Sequence, residues 1–317
     1  MSRVTAGPGF RHAVRLYAGD AEFVGATVDF VRDGVRSGEI VLVAVAAHKI
    51  DRLRLALGHD ASEVRFVDIG DIGRNPGTLI PMWRDFVDTY AAHGTAVRAV
   101  GEPVMPEYSP AALAEFQHHE ALLNLAFRDD PDFFLLCPYD TLALAPEVID
   151  QALARHPFAD AQAGHVSASY ALRGCLEAVF AEPLPLPPRF GVRERLFTVT
   201  DLRDLRAFVW SESEVRGLRP ELADDLVLAV SEAAANSIRH GLGRGLLRVW
   251  SEDGYVVCEV SDRGHLDDPL AGRRRPEPLP TDSRGLWLIH HLCDLVQIRS
   301  TRSGTVVRLH MALPGPD

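Results

Sequence analysis

Cysteine is scarce and scattered. The four cysteines, Cys137, Cys175, Cys258 and Cys293 in 317 residues, form no C-x-x-C pair, so neither a zinc site nor a disulfide framework is suggested and a reduced, cytoplasmic setting is expected. No apolar run reaches the roughly 18 residues that a bilayer span requires, and the first residues lack a basic segment followed by an apolar one. No membrane association is expected. Positive charge is also in deficit: 33 Lys and Arg against 44 Asp and Glu leave a formal charge of -11, which repels phosphate backbones and anionic membrane surfaces. Direct nucleic-acid binding is therefore not expected. The longest basic run, Arg273 to Arg275, is too short for a DNA-binding face but sufficient to meet a polyphosphate.

What is present is an ordinary globular composition, 47% hydrophobic and 24% charged, on a chain long enough for two domains with separate cores. Residues 181–189, AEPLPLPPR, hold four prolines in nine positions, which neither a helix interior nor a central strand tolerates. The linker is placed there. The expected division is 1–165, a connecting segment 166–192, and 193–317, with a Pro-rich linker acting as a semi-rigid spacer.

In the N-terminal half, short apolar runs at 40–46, 64–69, 96–100 and 133–137 read as buried strands. Helical patterns lie at 21–35, 51–57, 79–92, 110–127 and 146–155. Continuous apolar strands alternating with helices predict a doubly wound, mostly parallel α/β sheet covered on both faces. Ligands of such sheets bind beyond the carboxyl ends of the strands, which here would present Asp68, Glu102, Tyr139 and Asp140. The turn AVAAHKIDRL after the first of these strands contains no glycine, so no phosphate-cradling loop is expected in this half. The succession VRLYAGDAEF, GEIVLVAVA, VRFVDIGDI, VGEPV, HHEALLN and LLCPYD resembles the MEDS sensory domain over residues 10–160. That resemblance implies a RecA-like core without its phosphate loop, and a role in sensing an unknown small-molecule ligand.

In the C-terminal half, residues 220–240 begin with proline and an acidic first turn, as a helix N-terminus should. Leu222, Leu226, Val230 and Ala233 form a core stripe, while Glu232, Asn236 and His240 share another face at intervals of four. A glutamate and an asparagine one turn apart can divide phosphoryl-transfer work, the amide oxygen holding Mg²⁺ and the carboxylate orienting or deprotonating the attacking group. Alone, the pattern more often marks a solvated polar face. Strands at 246–250 and 255–260 are joined through Asp253-Gly254, and the second runs into Asp262-Arg263-Gly264. That aspartate could accept a hydrogen bond from a purine amino group, although D-x-G is also an ordinary turn. Residues 265–284 are rich in Pro, Gly and Arg and read as a lid, too irregular for a packed element. Gly285-Leu286 opens a helix at 286–295 whose backbone N–H groups would meet phosphate. Strands 296–299 and 305–311 then close a hairpin, with Thr305 placed to reach a base or a bridging water.

In order, SEAAANSIRHG, SDRG, SRGLWLIHHLCD and SGTVVRL resemble the N, G1, G2 and G3 boxes of the GHKL ATPases, above all the anti-sigma-factor serine/threonine kinases, over residues 193–313. The resemblance implies a Bergerat-type α/β sandwich that binds ATP and Mg²⁺. Glu232 would be the catalytic base, Asn236 the Mg²⁺ ligand and Asp262 the adenine anchor. Arg239, His240, Gly264, Ser283, Arg284, Gly285, Leu286 and Thr305 would complete the cofactor site. Its implied partners are an anti-anti-sigma protein of STAS type, a sigma factor, or both; homodimerisation stays open. Leu266 and Ser283 stand where the family often has glycine, and both would stiffen the phosphate loop.

Two other functions compete with the kinase: a nucleotide-dependent module that only grips a regulator, and a histidine kinase using His119 in HHEALLN. Against the latter, no dimeric helical hairpin precedes the ATP domain, and His119 reads as a helix-surface or interface residue. His290-His291 has no carboxylate or cysteine at metal spacing, so packing is expected there rather than ligation.

Overall fold

A computed structural model describes residues 9–72, 75–91, 94–130, 132–159, 165–276 and 284–314. The chain divides into two compact units, one comprising Met1–Gly73 and Met82–Leu176, the other Arg74–Pro81 and Glu177–Asp317.

The N-terminal part runs β1 (Arg11–Tyr17), α1 (Gly19–Arg36), β2 (Ile40–Val45), α2 (Ala47–Leu57), β3 (Val64–Asp68), α3 (Ile69–Ile72), α4 (Leu79–Tyr90), β4 (Val97–Gly101), α5 (Pro110–Ala126), β5 (Phe133–Asp140), α6 (Pro146–Arg155), β6 (Phe158–Ala159), β7 (His165–Val166) and α7 (Leu172–Ala181). Its strands form one sheet in the order β3-β2-β4-β5-β1-β6-β7, parallel except for the β6–β7 pair. On one face Ala13 and Tyr17 of β1 and Val41, Val43 and Val45 of β2 join Phe23 and Val31 of α1 and Leu53 and Leu57 of α2 in a single core. The other face carries His12 and Cys137 towards α5.

The pattern of apolar runs anticipates four of these strands but not β1, which lies between β5 and β6. Its sequence RHAVRLY carries two arginines, unusual in a central strand. Arg11 is accommodated because its guanidinium lies 4.0 Å over the ring of Phe134 on the neighbouring strand, an arrangement that keeps the cation attracted while its stem is covered.

The carboxylates at the strand ends are already engaged. Asp68 accepts from the Gly70 N–H at 2.9 Å and Asp140 from the Leu142 N–H at 2.9 Å, both turn-forming bonds. Glu102, just past β4, accepts from the Tyr17 hydroxyl and from Lys49 Nζ, each at 2.5 Å. Lys49 is the only lysine in the chain and is buried with Glu102. Burial and then the Glu102 charge raise the Tyr17 phenol above its ordinary pKa, so tyrosine keeps its proton and donates to Glu102 while accepting from Lys49 Nζ at 2.8 Å.

His119 was expected on a helix surface or at an interface; it is not at the surface, because α5 is enclosed along most of its length and His119 is 1% exposed. A phosphoacceptor must be reachable, so this burial weighs further against a histidine kinase.

The second unit contains β8 (Arg193–Thr198), α8 (Leu202–Val215), α9 (Pro220–His240), β9 (Arg244–Glu252), β10 (Tyr255–Asp262), α10 (Arg284–Leu292), β11 (Leu295–Thr301) and β12 (Gly304–Ala312). The strands form an antiparallel sheet, β11-β12-β10-β9-β8. Helices α8, α9 and α10 cover one face: Leu205, Val209, Leu226, Val230, Ala233 and Ile289 meet Leu247, Val249, Val256, Cys258 and Leu309. Burial there pushes the Cys258 thiol up to about 12. The opposite face is polar, with Arg308 paired to Glu259 at 2.6 Å and lying over Trp250. Along it runs the proline-rich segment, held by bonds from Arg299 Nε to the Glu182 carbonyl at 2.7 Å and from Arg308 Nη2 to the Pro185 carbonyl at 2.8 Å.

Among the described residues no helix is long and apolar enough to cross a membrane.

Candidate nucleotide site

Helix α9 positions the first group of candidates. Pro220 occupies its first turn with Glu221, and Leu226, Val230 and Ala233 are buried against the sheet. Glu232 and Asn236 are thereby turned towards the start of α10. The two helices meet at Gly285: a Cβ there would lie 2.9 Å from Glu232 Oε2, 3.4 Å from Asn236 Nδ2 and 3.6 Å from Asn236 Oδ1. Only glycine brings the α10 backbone this near to both side chains without displacing one. Asn236 Oδ1 also accepts from Arg239 Nη2 at 2.9 Å.

The helix was expected at 286–295. It runs from Arg284 to Leu292, so Gly285 lies inside its first turn, and Leu295 opens β11. Arg284 is exposed, whereas the Leu286 side chain enters the core; only the Leu286 main chain is available to a ligand. Ser283 lies outside the described residues.

Asp262 ends β10, directly opposite Thr305 of β12 in the register. Its Oδ2 accepts from Ser237 Oγ at 2.5 Å and its Oδ1 from the Gly264 N–H at 2.6 Å. A carboxylate has about four lone-pair directions, so two remain for a further donor. Gly241, which ends α9, and Gly264 allow this approach. A Cβ on Gly241 would lie 2.5 Å from Asp262 Cβ, and one on Gly264 would lie 2.5 Å from the His240 carbonyl oxygen. His240 borders the site through that carbonyl, its side chain being exposed. Thr305 Oγ1 donates to the Gly264 carbonyl at 3.0 Å and lies 3.0 Å from Ser300 Oγ, so its proton is committed to the loop and Ser300 is left to donate to one of its lone pairs.

Two features were not anticipated. Ser237 and Ser300 organise the carboxylate and the loop; Ser237 lies within the motif SEAAANSIRHG and Ser300 just before SGTVVRL, and those positions are their only sequence signal. The segment after Gly264, expected to be too irregular to pack, is packed in part, at Leu266 and from Leu270 to Arg273. Leu270 is fully buried, Arg273 is 4% exposed, and Gly272, at φ 75°, lies so close to Leu286 that a Cβ would approach its Cβ to 2.7 Å. Residues 277–283 of the expected lid lie outside the described residues.

The donor set fits Mg-nucleotide chemistry: a carboxylate and an amide oxygen from one helix face, a glycine-lined helix start, and a second carboxylate fixed by backbone and hydroxyl donors. Comparison with known families agrees with this geometry. Residues 11–157 match the MEDS family, the MEthanogen/methylotroph, DcmR Sensory domain, and residues 197–311 match the histidine kinase-like ATPase domain. The chain is thus a MEDS sensory domain followed by a GHKL-type ATPase domain. A solved structure similar to it, at 22% identity and a TM-score of 0.30, is that of the RsbU and RsbW domains of Rv1364c from Mycobacterium tuberculosis; the match covers 39% of this chain and 33% of that one. Among curated proteins nothing matches.

Proposed function

We propose that the second unit binds Mg-ATP and transfers the γ-phosphoryl group to a serine or threonine of a small anti-anti-sigma partner of STAS type, under control of the MEDS domain. The observation that carries this reading is the convergence of Glu232 and Asn236 on Gly285. A carboxylate and an amide beside a glycine-bearing helix start support the roles of base and metal ligand next to a phosphate. In this reading Asn236 Oδ1 holds Mg²⁺, which neutralises charge on the phosphates. Glu232 takes the proton of the attacking hydroxyl. Asp262 receives the adenine amino group, and the backbone around Gly264 and Gly285 lies against the nucleotide. Arg239, His240, Arg284, Leu286, Thr305 and Ser283 belong to the same cofactor shell. The protein acts in the cytoplasm, and its N-terminal domain responds to a small molecule.

A second reading is favoured by one contact. Asn236 Oδ1, the atom assigned to Mg²⁺, is held by Arg239, as it would be in a module that binds nucleotide only to change its grip on a sigma factor. Titration calorimetry of Mg-ATP into the wild type and Asn236→Ala, with phosphate transfer to STAS-type proteins measured for the wild type and Glu232→Gln, separates the two. The kinase reading expects binding that Asn236→Ala weakens sharply, and transfer that Glu232→Gln lowers by about 10²- to 10⁴-fold at nearly unchanged affinity. Binding without any acid-stable phosphate on a partner selects the second reading. No binding to the wild type rejects both.

A further inference from the structure

A buried cluster of four ligand-capable side chains lies in the first unit and includes none of the candidate nucleotide residues. His12 on β1, Glu120 on α5, Cys137 on β5 and His156 just past α6 bring their ligand-capable atoms within 4.8 Å of one another, and none is more than 2% exposed. Parallel pairing sets His12 opposite Leu135 and Val14 opposite Cys137, so His12 and Cys137 point to the same face of the sheet. Helix α5 adds Glu120 and, one turn on, Asn124.

The surrounding hydrogen bonds orient both imidazoles. Asn124 Nδ2 donates to the Glu120 carbonyl at 3.1 Å and the Arg155 carbonyl at 2.8 Å, which turns its Oδ1 towards His12 Nδ1 at 3.2 Å. His156 Nδ1 lies 2.7 Å from the Ala152 carbonyl. Both acceptors require a proton on Nδ1, so each neutral ring presents a bare Nε2 lone pair to the cluster. These lone pairs meet Glu120 Oε2 at 3.2 Å from His12 and 2.7 Å from His156, and His12 Nε2 is 3.3 Å from Cys137 Sγ. Acceptors directed at a carboxylate in a site closed to water need positive charge between them. Protonating both rings is disfavoured, because their centroids are only 4.0 Å apart.

We propose that the MEDS domain holds one divalent transition-metal ion, of the zinc class, bound by His12 Nε2, His156 Nε2, a Glu120 oxygen and the Cys137 thiolate. The thiol proton leaves to solvent on binding, and two negative ligands then balance the ion's charge in the dry interior. Tetrahedral zinc with bonds of about 2.0–2.3 Å separates its ligand atoms by roughly 3.4 Å, close to the 3.2 and 3.3 Å from His12 Nε2 to Glu120 and Cys137, while the 2.7 Å between His156 and Glu120 would widen on binding. The backbone carbonyl and amide partners of the two histidines are the outer-shell contacts that metal-bound imidazoles use. Four protein ligands leave no position for water or substrate, so the ion ties β1, α5, β5 and the end of α6 together rather than activating a reaction. Cysteine spacing pointed away from zinc, but this site takes one cysteine and draws its other ligands from three distant segments.

The test uses the full-length, untagged chain. Metal content is measured after purification without chelator, and the stripped protein is titrated with Co²⁺ and then Zn²⁺ while absorption is recorded. About one zinc per chain is expected, with a thiolate-to-cobalt charge-transfer band and intense tetrahedral d–d bands that Zn²⁺ abolishes. Cys137→Ser loses the charge-transfer band, whereas Cys258→Ser and Cys293→Ser keep it. Asn124→Ala keeps the band but binds about 10- to 100-fold more weakly. Persistence of the band in Cys137→Ser overturns the proposal. So does a folded wild type with neither co-purified metal nor a cobalt band, which would make the cluster a protonated His156–Glu120 pair beside a thiol hydrogen-bonded to His12. The wild-type spectrum and the two cysteine controls decide the question even where Cys137→Ser does not fold.

Discussion

Gly285→Ala separates the positioning of Glu232, the proposed base, from the stability of the fold. The added methyl carbon would lie 2.9 Å from Glu232 Oε2, inside van der Waals contact, and 3.4 Å from Asn236 Nδ2. The nearest obstacle is the end of a flexible side chain, so relief comes from rotating Glu232, at about 0.5–1.5 kcal/mol for an off-rotamer torsion. Alanine in the first turn of α10 recovers up to about 1 kcal/mol of helix propensity over glycine. The two terms nearly cancel, and at about 2–4 °C per kcal/mol for a unit of this size the unfolding midpoint should move by no more than about 4 °C. Catalysis does not share that cancellation. Shifting a base by about 1 Å from its working position costs on the order of 10²-fold in rate. Mg-ATP consumption by the full chain should therefore fall about 10²-fold, while Mg-ATP affinity measured by calorimetry changes by less than about fivefold, or about 1 kcal/mol. Wild-type turnover in this variant would refute the role given to Glu232. A midpoint lowered by more than about 10 °C would refute the argument that the clash is cheaply relieved.

Removing the Asp262 carboxylate by Asp262→Ala takes away a charged acceptor worth about 1.5–3 kcal/mol to a bound adenine; calorimetry should show ATP affinity falling about 10- to 150-fold with little change for GTP, and an unchanged ATP affinity would remove the adenine assignment. Lys49→Ala leaves Glu102 buried with only the Tyr17 hydroxyl as partner, and breaking such a pair costs about 3–5 kcal/mol; differential scanning calorimetry should find the first unit's midpoint lowered by about 6–20 °C, and a shift under about 2 °C would show that the pair contributes little.

The parts of the fold that could be read in advance are those whose information is local. Helix α9 announces itself through Pro220, its acidic start and a stripe at three- and four-residue spacing, and the same periodicity places Glu232 and Asn236 on one face. Strand β8 gives no such sign, because only Phe197 of its six residues is buried, as befits an edge strand. Strand β1 hides its central position behind Arg11 and Arg15. The four-residue cluster of the first unit was invisible for a deeper reason: His12, Glu120, Cys137 and His156 are joined by strand order and by parallel register, neither of which any spacing in the sequence encodes.

Leu266 shows how a departure from a motif can leave the site's geometry intact. Glycine at such a position is indispensable when the backbone has positive φ or when a Cβ has nowhere to go. Neither applies here: among the described residues the only non-glycine positive φ values are those of Leu242 and Asp253, and the Leu266 side chain packs at the edge of the core shared by α9 and α10. Its N–H donates to Ser300 Oγ at 2.8 Å, and Ser300 also meets Thr305 Oγ1, which donates to the Gly264 carbonyl. The backbone N–H at this position, which glycine would also supply, ties the loop to the β11–β12 hairpin, and what the leucine adds is the packing of its side chain against the core. A loop fastened in this way loses freedom to close over a ligand but loses less entropy when it binds one, so this substitution bears on how the site opens and releases more than on whether it can hold a nucleotide.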